Sequence, residues 1–120
     1  MRPESGDAAF LWDMREQALA ISAFLHDVDR ATFLAEENLR LIAERRIEII
    51  GEAASHVSPQ FRSAHPEVPW RRIIGQRNIL IHDYGQIIPE RVWESASRDA
   101  PELVRILDDL LGSIGQTLAE

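Results

Sequence analysis

The sequence has 120 residues and contains no cysteine, which excludes a disulfide framework and a zinc site built on thiolates. It also contains no lysine, so all 13 of its basic residues are arginine. Its apolar runs are only a few residues long, whereas a membrane-spanning helix needs about 20. The first residues do not resemble a cleaved signal peptide. These absences predict an intracellular, cytoplasmic protein without a membrane segment.

The charge balance is acidic, since the formal net charge is −7 at pH 7. A protein of this charge is not a general nucleic-acid binder, because its surface repels phosphate. The segment from Gln60 to Tyr84 is an exception, because it contains four arginines but only two carboxylates, Glu67 and Asp83. Any contact with nucleic acid is therefore expected to be local and to involve this segment.

Apolar residues recur at helical spacing over most of the chain, and no stretch alternates as a β-strand does. The length and the 45% of hydrophobic residues are typical of a single domain, residues 1–120, with 1–6 and 112–120 as loose ends. The first predicted helix has Asp7 as its N-cap and runs to about residue 27, and the second runs from about 37 to 57. The third runs from about 70 to 83 and is stopped by Gly85. The fourth begins at Pro89 and is kinked or divided at Pro101. Residues 32–36 are expected to form one short turn. The pattern predicts an all-α, up-and-down bundle of four or five helices, an architecture that often forms homodimers.

The third predicted helix ends in the residues with the richest chemistry, Arg77 to Tyr84. The 100° rotation per helical residue places Tyr84, Asn78 and His82 at about −20°, 100° and 140° from the first residue of this segment. Arginine binds phosphoryl oxygens in a fork, and histidine exchanges protons near neutral pH. RNA supplies its own nucleophile, the 2′-hydroxyl. Cleavage at such a site therefore needs positioning, charge stabilisation and proton transfer, but no metal or other cofactor.

Other polar residues favour structural roles. Glu48 and Glu52 share one helix face and are expected to balance Arg45 or another arginine inside the bundle. Gly51, within the same helix, indicates that another helix crosses closely. No metal site is predicted, because the remaining histidines lie on separate segments without ligand spacing: His26, His56 and His65.

Three motifs follow one another between Arg45 and Leu111. The first, over residues 45–53, is Arg-x-x-Glu-Ile-Ile-Gly-Glu-Ala. The second, over 66–78, is Pro-Glu-Val-Pro-Trp-Arg-x-Ile-Ile-Gly-x-Arg-Asn, and the third is Arg77-x4-His82-x-Tyr84, followed by Val-Trp at 92–93. In this order, within an all-α chain of this length, they resemble the HepT-like family of HEPN-domain proteins, the toxin half of bacterial two-gene toxin–antitoxin modules. The first forty residues resemble it only in helical character.

The resemblance implies a helical bundle that forms a homodimer, in which the Arg-x4-His motifs of two protomers approach each other across a cleft. It implies metal-independent cleavage of RNA, with Arg77 binding the scissile phosphate and His82 transferring protons. Asn78 would orient the phosphate or the histidine. Tyr84 matches the tyrosine that the cognate nucleotidyltransferase antitoxin modifies with AMP. The modified phenol would block RNA and add negative charge where phosphate must bind.

The sequence departs from the family at one position, where an aspartate often begins the last helix. Ile88 stands there, directly before Pro89. The loss of an N-cap is worth about 1 kcal/mol, and proline in the first helical turn partly offsets it. The departure therefore concerns local stability rather than the chemistry.

Two other interpretations stay open at this point. The chain could be a non-catalytic helical subunit that docks a nucleotidyltransferase and presents it with a substrate, or with Tyr84 itself. It could also be a structural dimer, in which Arg77 only pairs with a carboxylate such as Glu48.

Overall fold

The computed structural model describes residues 2–4 and 6–119, and in these ranges the chain is helical and contains no β-strand. Seven α-helices follow one another: α1 (Gly6–Phe24), α2 (Arg30–Ala35), α3 (Glu37–His56), α4 (Pro59–Ala64), α5 (Trp70–His82), α6 (Pro89–Glu94) and α7 (Ala100–Ala119). The predicted all-α class is confirmed. None of the helices in the described ranges combines the length and the apolar character that crossing a bilayer requires.

The four longer helices, α1, α3, α5 and α7, form the bundle. Helix α3 packs against both α1 and α5, and α1 also packs against α7. The core between them is apolar, and its largest fully buried side chains come from α1, α2 and α7: Leu11, Met14, Ile21, Phe33 and Leu107. The principal neighbour of α5 is α3, so the residues at their contact decide how α5 presents its polar side chains.

The start of the chain differs from the prediction in the use of Asp7. Helix α1 begins one residue earlier, at Gly6, so Asp7 lies inside its first turn instead of capping it. Its carboxylate accepts hydrogen bonds from the backbone N–H and the hydroxyl of Ser58, at 2.8 and 2.7 Å. The Ser58 hydroxyl in turn caps α4, a helix that the sequence analysis reads as a connector. Proline at the first position of α4 is compatible with a helix start, which is why Pro59 does not mark a loop here.

A π-helical segment, Ser95–Asp99, separates α6 from α7 directly before Pro101. In a regular α-helix the ring of Pro101 would clash with the carbonyl of Ser97, and it has no N–H to donate. A wider π-helical turn removes this conflict without ending the helix. Where the sequence predicts a kink or a division at Pro101, the structure has a π-helical segment, through which the chain stays helical. Helix α7 then continues to Ala119, through the glycines where the sequence predicts a fraying tail.

Helix α5 ends at His82, and a 3₁₀ turn, Tyr84–Gln86, follows it. The prediction that Gly85 stops the helix through a positive φ is wrong, because Gly6 alone among the described residues has a positive φ. The break lies at Asp83, whose φ of −130° and ψ of 51° leave the helical region. Helix α6 then begins at Pro89 without a side-chain cap at Ile88, as predicted.

Candidate active site

A close crossing of α3 and α5 at Gly51 organises the site. A Cβ atom at this position would lie 2.2 Å from Cβ of Arg77 and 3.0 Å from the carbonyl oxygen of Ile73. Side-chain carbons do not approach each other to 2.2 Å, so this crossing requires glycine. The close crossing predicted from Gly51 is therefore confirmed, and the stem of Arg77 fills the space that the missing side chain leaves.

The guanidinium of Arg77 emerges from this crossing with 25% of the side chain exposed. Its Nη2 donates to Oε2 of Glu52 at 2.5 Å, and its Nη1 donates to Oδ1 of Asn78 at 3.3 Å. Its Nε is buried and has no hydrogen-bond partner among the described residues. The terminal nitrogens are thus the part of Arg77 that a phosphate can reach from solvent.

Glu52 joins Arg77 to His56. Its Oε1 accepts a hydrogen bond from Nε2 of His56 at 3.1 Å, while its Oε2 accepts from Arg77. The hydrogen bond from His56, and next the charge of Arg77, hold the pKa of Glu52 below its usual range. Glu52 is therefore a carboxylate at neutral pH. The ring of His56 also stacks on Phe10 of α1, with 5.1 Å between the ring centroids.

Glu48 lies one turn before Glu52 but has a different partner. It accepts a hydrogen bond from Arg45 at 2.8 Å. The expectation that these two carboxylates balance arginines of the bundle is confirmed. Arg77 does pair with a carboxylate of α3, as one interpretation of the sequence suggests, but the partner is Glu52 rather than Glu48, because the crossing at Gly51 places Arg77 beside Glu52.

Asn78, His82 and Tyr84 lie on the exposed end of α5 and in the turn that follows. Tyr84 is 66% exposed, more than any other large apolar or aromatic side chain in the described ranges. Within those ranges, the side chains of His82 and Tyr84 form no hydrogen bond or ion pair. Both are therefore open to a substrate, to a protein partner or to a modifying enzyme.

One chain brings together only part of the predicted set. Arg77 touches Asn78, whereas His82 lies five residues further, about 7.5 Å along the helix axis. No hydrogen bond joins His82 to Arg77 in the described part of the chain. The two groups lie in the same half of α5, and the hydrogen bonds of Arg77 go to Glu52 and Asn78.

The surroundings of these residues are open. The best-formed cavities between the described residues are lined by other side chains than Arg77, Asn78, His82 and Tyr84. Small-molecule substrates usually bind in concave pockets, whereas a polymer can lie across an open surface. No group of three or more metal-ligating side chains occurs in the described ranges. The arrangement can bind a phosphate on Arg77 and exchange a proton at His82.

The link from Glu52 to His56 is the part of the site that the sequence analysis does not single out. From the sequence, His56 is considered only when a metal site is ruled out, because its spacing from the other histidines does not suit metal ligands. The sequence contains two indications of this link. Positions 52 and 56 are one helical turn apart, and a close crossing at Gly51 brings the next helix to Glu52. The sequence does not show the register of α5 against α3, and this register is what brings Arg77 to Glu52.

The ribonuclease HepT-like family matches residues 14–110, from the first half of α1 to the second half of α7. The chain belongs to the ribonuclease HepT-like family. The match begins well before Arg45, so the HepT-like pattern extends into the region where the sequence analysis finds only helical character. It includes all four residues of the candidate site.

Several proteins of archaea are similar to this HepT-like chain. A Methanocaldococcus jannaschii protein named "Putative RNase MJ1380" is 38% identical over 95 residues, which cover 79% of this chain and 87% of that protein. "Probable ribonuclease HepT" of Thermococcus cleftensis is 32% identical over 94 residues, which cover 78% of this chain and 86% of that protein. No solved structure matches the chain.

Proposed function

We propose that this HepT-like protein is a metal-independent endoribonuclease, the toxin of a toxin–antitoxin module. It acts on RNA in the cytoplasm and is neutralised by a nucleotidyltransferase that modifies Tyr84 with AMP. The observation that carries the proposal is the open end of α5. There, in a chain of a ribonuclease family, a partly exposed arginine precedes an exposed histidine and an exposed tyrosine that have no partner in the described residues.

In the proposed reaction the 2′-hydroxyl of one nucleotide attacks the adjacent phosphorus. The bond to the 5′-oxygen of the next nucleotide breaks, which leaves a 2′,3′-cyclic phosphate and a free 5′-hydroxyl. One proton leaves the 2′-oxygen and one reaches the 5′-oxygen, so the step balances without an external nucleophile. His82 carries out this proton transfer, since an imidazole ring has one nitrogen that can accept a proton and one that can donate a proton.

Arg77 stabilises the negative charge that builds up on the phosphoryl oxygens in the transition state. Its side chain is partly exposed, and its position is set by the packing at Gly51. A donor held in place in this way stabilises charge without having to reorganise during the reaction. Asn78, in contact with Arg77, orients the phosphate or the histidine.

A homodimer is part of the proposal. Three isoleucines around the open end of α5 are about 40% exposed, namely Ile79, Ile81 and Ile88. Burying them against a second copy removes apolar area from water and brings two Arg-x4-His motifs to one cleft. With two copies of His82 in that cleft, one imidazole can accept the 2′-proton while the other protonates the 5′-oxygen.

The dimer is tested by placing a charge on its proposed face. Ile81→Asp should shift the protein to a monomer in sedimentation-velocity experiments and abolish RNA cleavage. Leu19→Asp is the matched control, because Leu19 is equally exposed but lies on α1. Equal oligomeric states for the two variants would exclude this face as the interface.

The activity is tested with purified, mass-checked, unmodified protein and a mixed set of RNAs in excess EDTA. Wild-type protein should cleave, and His82→Ala should not. His26→Ala is the control, because His26 is exposed as well and its contact is with Asp27, away from α5. Cleavage by His82→Ala at the wild-type rate would contradict the proposed role of this histidine.

A non-catalytic subunit is the second candidate, and the exposure of Tyr84 favours it as well as the toxin. In that case wild-type protein binds the nucleotidyltransferase tightly but cleaves no RNA in the EDTA assay. A neighbouring gene for a small nucleotidyltransferase supports both candidates, so the cleavage assay decides between them.

A further inference from the structure

A chain of side-chain contacts runs from α1 through α3 to the candidate active site on α5. The ring of His56 stacks on Phe10, and its Nε2 donates to one oxygen of Glu52. The other oxygen of Glu52 accepts from Nη2 of Arg77 at 2.5 Å. Both carboxylate oxygens are thus engaged, one on each side, and Glu52 has little freedom to turn.

The rest of Arg77 is fixed as well. Its Cβ and Cγ occupy the space above Gly51, and its Nε is covered and unpaired in the described residues. The remaining freedom is rotation of the guanidinium about its last bonds. Glu52 removes that freedom by binding Nη2, and Nη1 also donates to Asn78, so one hydrogen on each terminal nitrogen is left for a phosphate.

We propose that Glu52 is a positioning residue for Arg77 in RNA cleavage, and that His56 holds Glu52 in place. This inference rests on the proposed function, because it gives a role to a residue that does not touch the substrate. A fixed guanidinium meets the transition state in the right geometry, and a misplacement of about 1 Å can cost roughly 100-fold in rate.

The charge of Glu52 also has a cost that makes the proposal testable. The negative charge of Glu52 weakens the attraction between Arg77 and a phosphate, both when RNA is bound and in the transition state. Removing the carboxylate should therefore tighten or preserve RNA binding while it slows the chemical step. A residue that only stabilises the fold would not separate KM from kcat in this way.

The test is a steady-state comparison of RNA cleavage in excess EDTA by wild type, Glu52→Ala and Glu52→Gln. The amide oxygen of the glutamine variant still accepts a hydrogen bond from Nη2, whereas alanine offers no acceptor. Glu52→Ala should lower kcat at least about 10-fold with KM unchanged or lower. Glu52→Gln should recover most of the kcat.

Glu48→Gln is the matched control, because Glu48 is a carboxylate on the same helix that pairs with Arg45 and not with Arg77. Its kcat and KM should stay within about twofold of wild type. His56→Gln should show a weaker form of the alanine variant's defect, since it loosens Glu52 without removing it. The thermal midpoints of all variants are measured alongside, so that unfolding is not mistaken for a loss of rate.

The possible outcomes separate this inference from the proposed function. Wild-type kcat in Glu52→Ala overturns the positioning role, and a raised kcat shows that the carboxylate inhibits Arg77 instead. A parallel loss in Glu52→Ala and Glu48→Gln also overturns it, because the effect is then general to the acidic face of α3. If the wild-type protein itself cleaves no RNA, the proposed function fails and the inference falls with it.

Discussion

The two ends of the segment from Arg77 to His82 are built in opposite ways. Arg77 is packed over Gly51, bound by Glu52 and only 25% exposed, whereas His82 is exposed and has no side-chain partner among the described residues. Only four residues thus separate the most constrained polar side chain of the site from one of the least constrained. The fold fixes Arg77, the group proposed to stabilise charge, and leaves open His82, the group proposed to transfer protons.

The contrast fits the different demands on the two regions. A group that stabilises developing charge is most effective when it is already oriented before the substrate arrives. A group that meets RNA, a second protomer or a modifying enzyme must be accessible from solvent. Tyr84, in the turn after α5, is exposed in this way, whereas a side chain with a purely structural role would be buried.

The largest expected effects come from replacing Arg77 and His82, one at a time. Arg77→Ala and His82→Ala should each lower the cleavage rate by about 100-fold or more. Only Arg77→Ala should also lower the thermal midpoint, because it removes a packed stem and leaves Glu52 without its cation. Cleavage assays and thermal unfolding of both variants measure this, and equal midpoints would show that the two ends do not differ.

Substitutions at two glycines test whether the crossing is the rigid region. Gly51→Ala should destabilise the protein by about 1–3 kcal/mol, because its Cβ would overlap Arg77. Gly75→Ala is the control on α5, since a Cβ there meets nothing within 4 Å. It should stabilise the helix by up to about 1 kcal/mol. Urea unfolding at equilibrium gives both values, and equal effects of the two substitutions would contradict the close crossing.

The open region is probed by removing the hydroxyl of Tyr84. Tyr84→Phe should keep cleavage within about twofold of wild type, because surface substitutions rarely change the fold and the hydroxyl has no partner in the described residues. It should also abolish modification by the nucleotidyltransferase with ATP, read by the absence of added AMP mass. A loss of cleavage in this variant would instead place the phenol in the reaction.

The smallest expected effect is a change with pH in the stability that Glu52 contributes through its contacts with His56 and Arg77. The pKa of Glu52 is lower in the folded protein than in the unfolded chain. The carboxylate therefore stabilises the fold at any pH above the ordinary pKa of glutamate, and this stabilisation is lost as the pH falls through the lowered pKa. Wild type should therefore unfold at a higher urea concentration than Glu52→Gln at pH 7, and this difference should shrink in acid. A difference that stays constant with pH would show that the carboxylate is not held by His56 and Arg77.

The sequence predicts the α5 end of the site better than the crossing beneath it. Helical spacing places Arg77, Asn78, His82 and Tyr84 near one another, because these positions are local in the chain. The partner of Arg77 is not local, and the sequence suggests Glu48 where the structure has Glu52. The register between α3 and α5 depends on tertiary packing at Gly51, which no periodicity within a single helix contains.

The same distinction explains the differences in the fold. The four long helices follow from their apolar spacing, whereas Asp7 leaves its predicted cap to bind Ser58, 51 residues away. Helix α4 has only six residues and begins at Pro59, so it is too short for a helical periodicity to reveal it. Local patterns thus predict the elements of this protein, and long-range contacts decide which polar groups meet.

The most direct test of the account is imidazole rescue of His82→Ala in the RNA cleavage assay with excess EDTA. Because the His82 position is exposed, free imidazole should enter the space that the variant leaves and carry the proton in its place. The account predicts a rate at least about 100-fold below wild type without imidazole, and a rise with imidazole concentration that wild type does not show. Cleavage by His82→Ala at the wild-type rate without imidazole, or a low rate that imidazole does not raise, would contradict it.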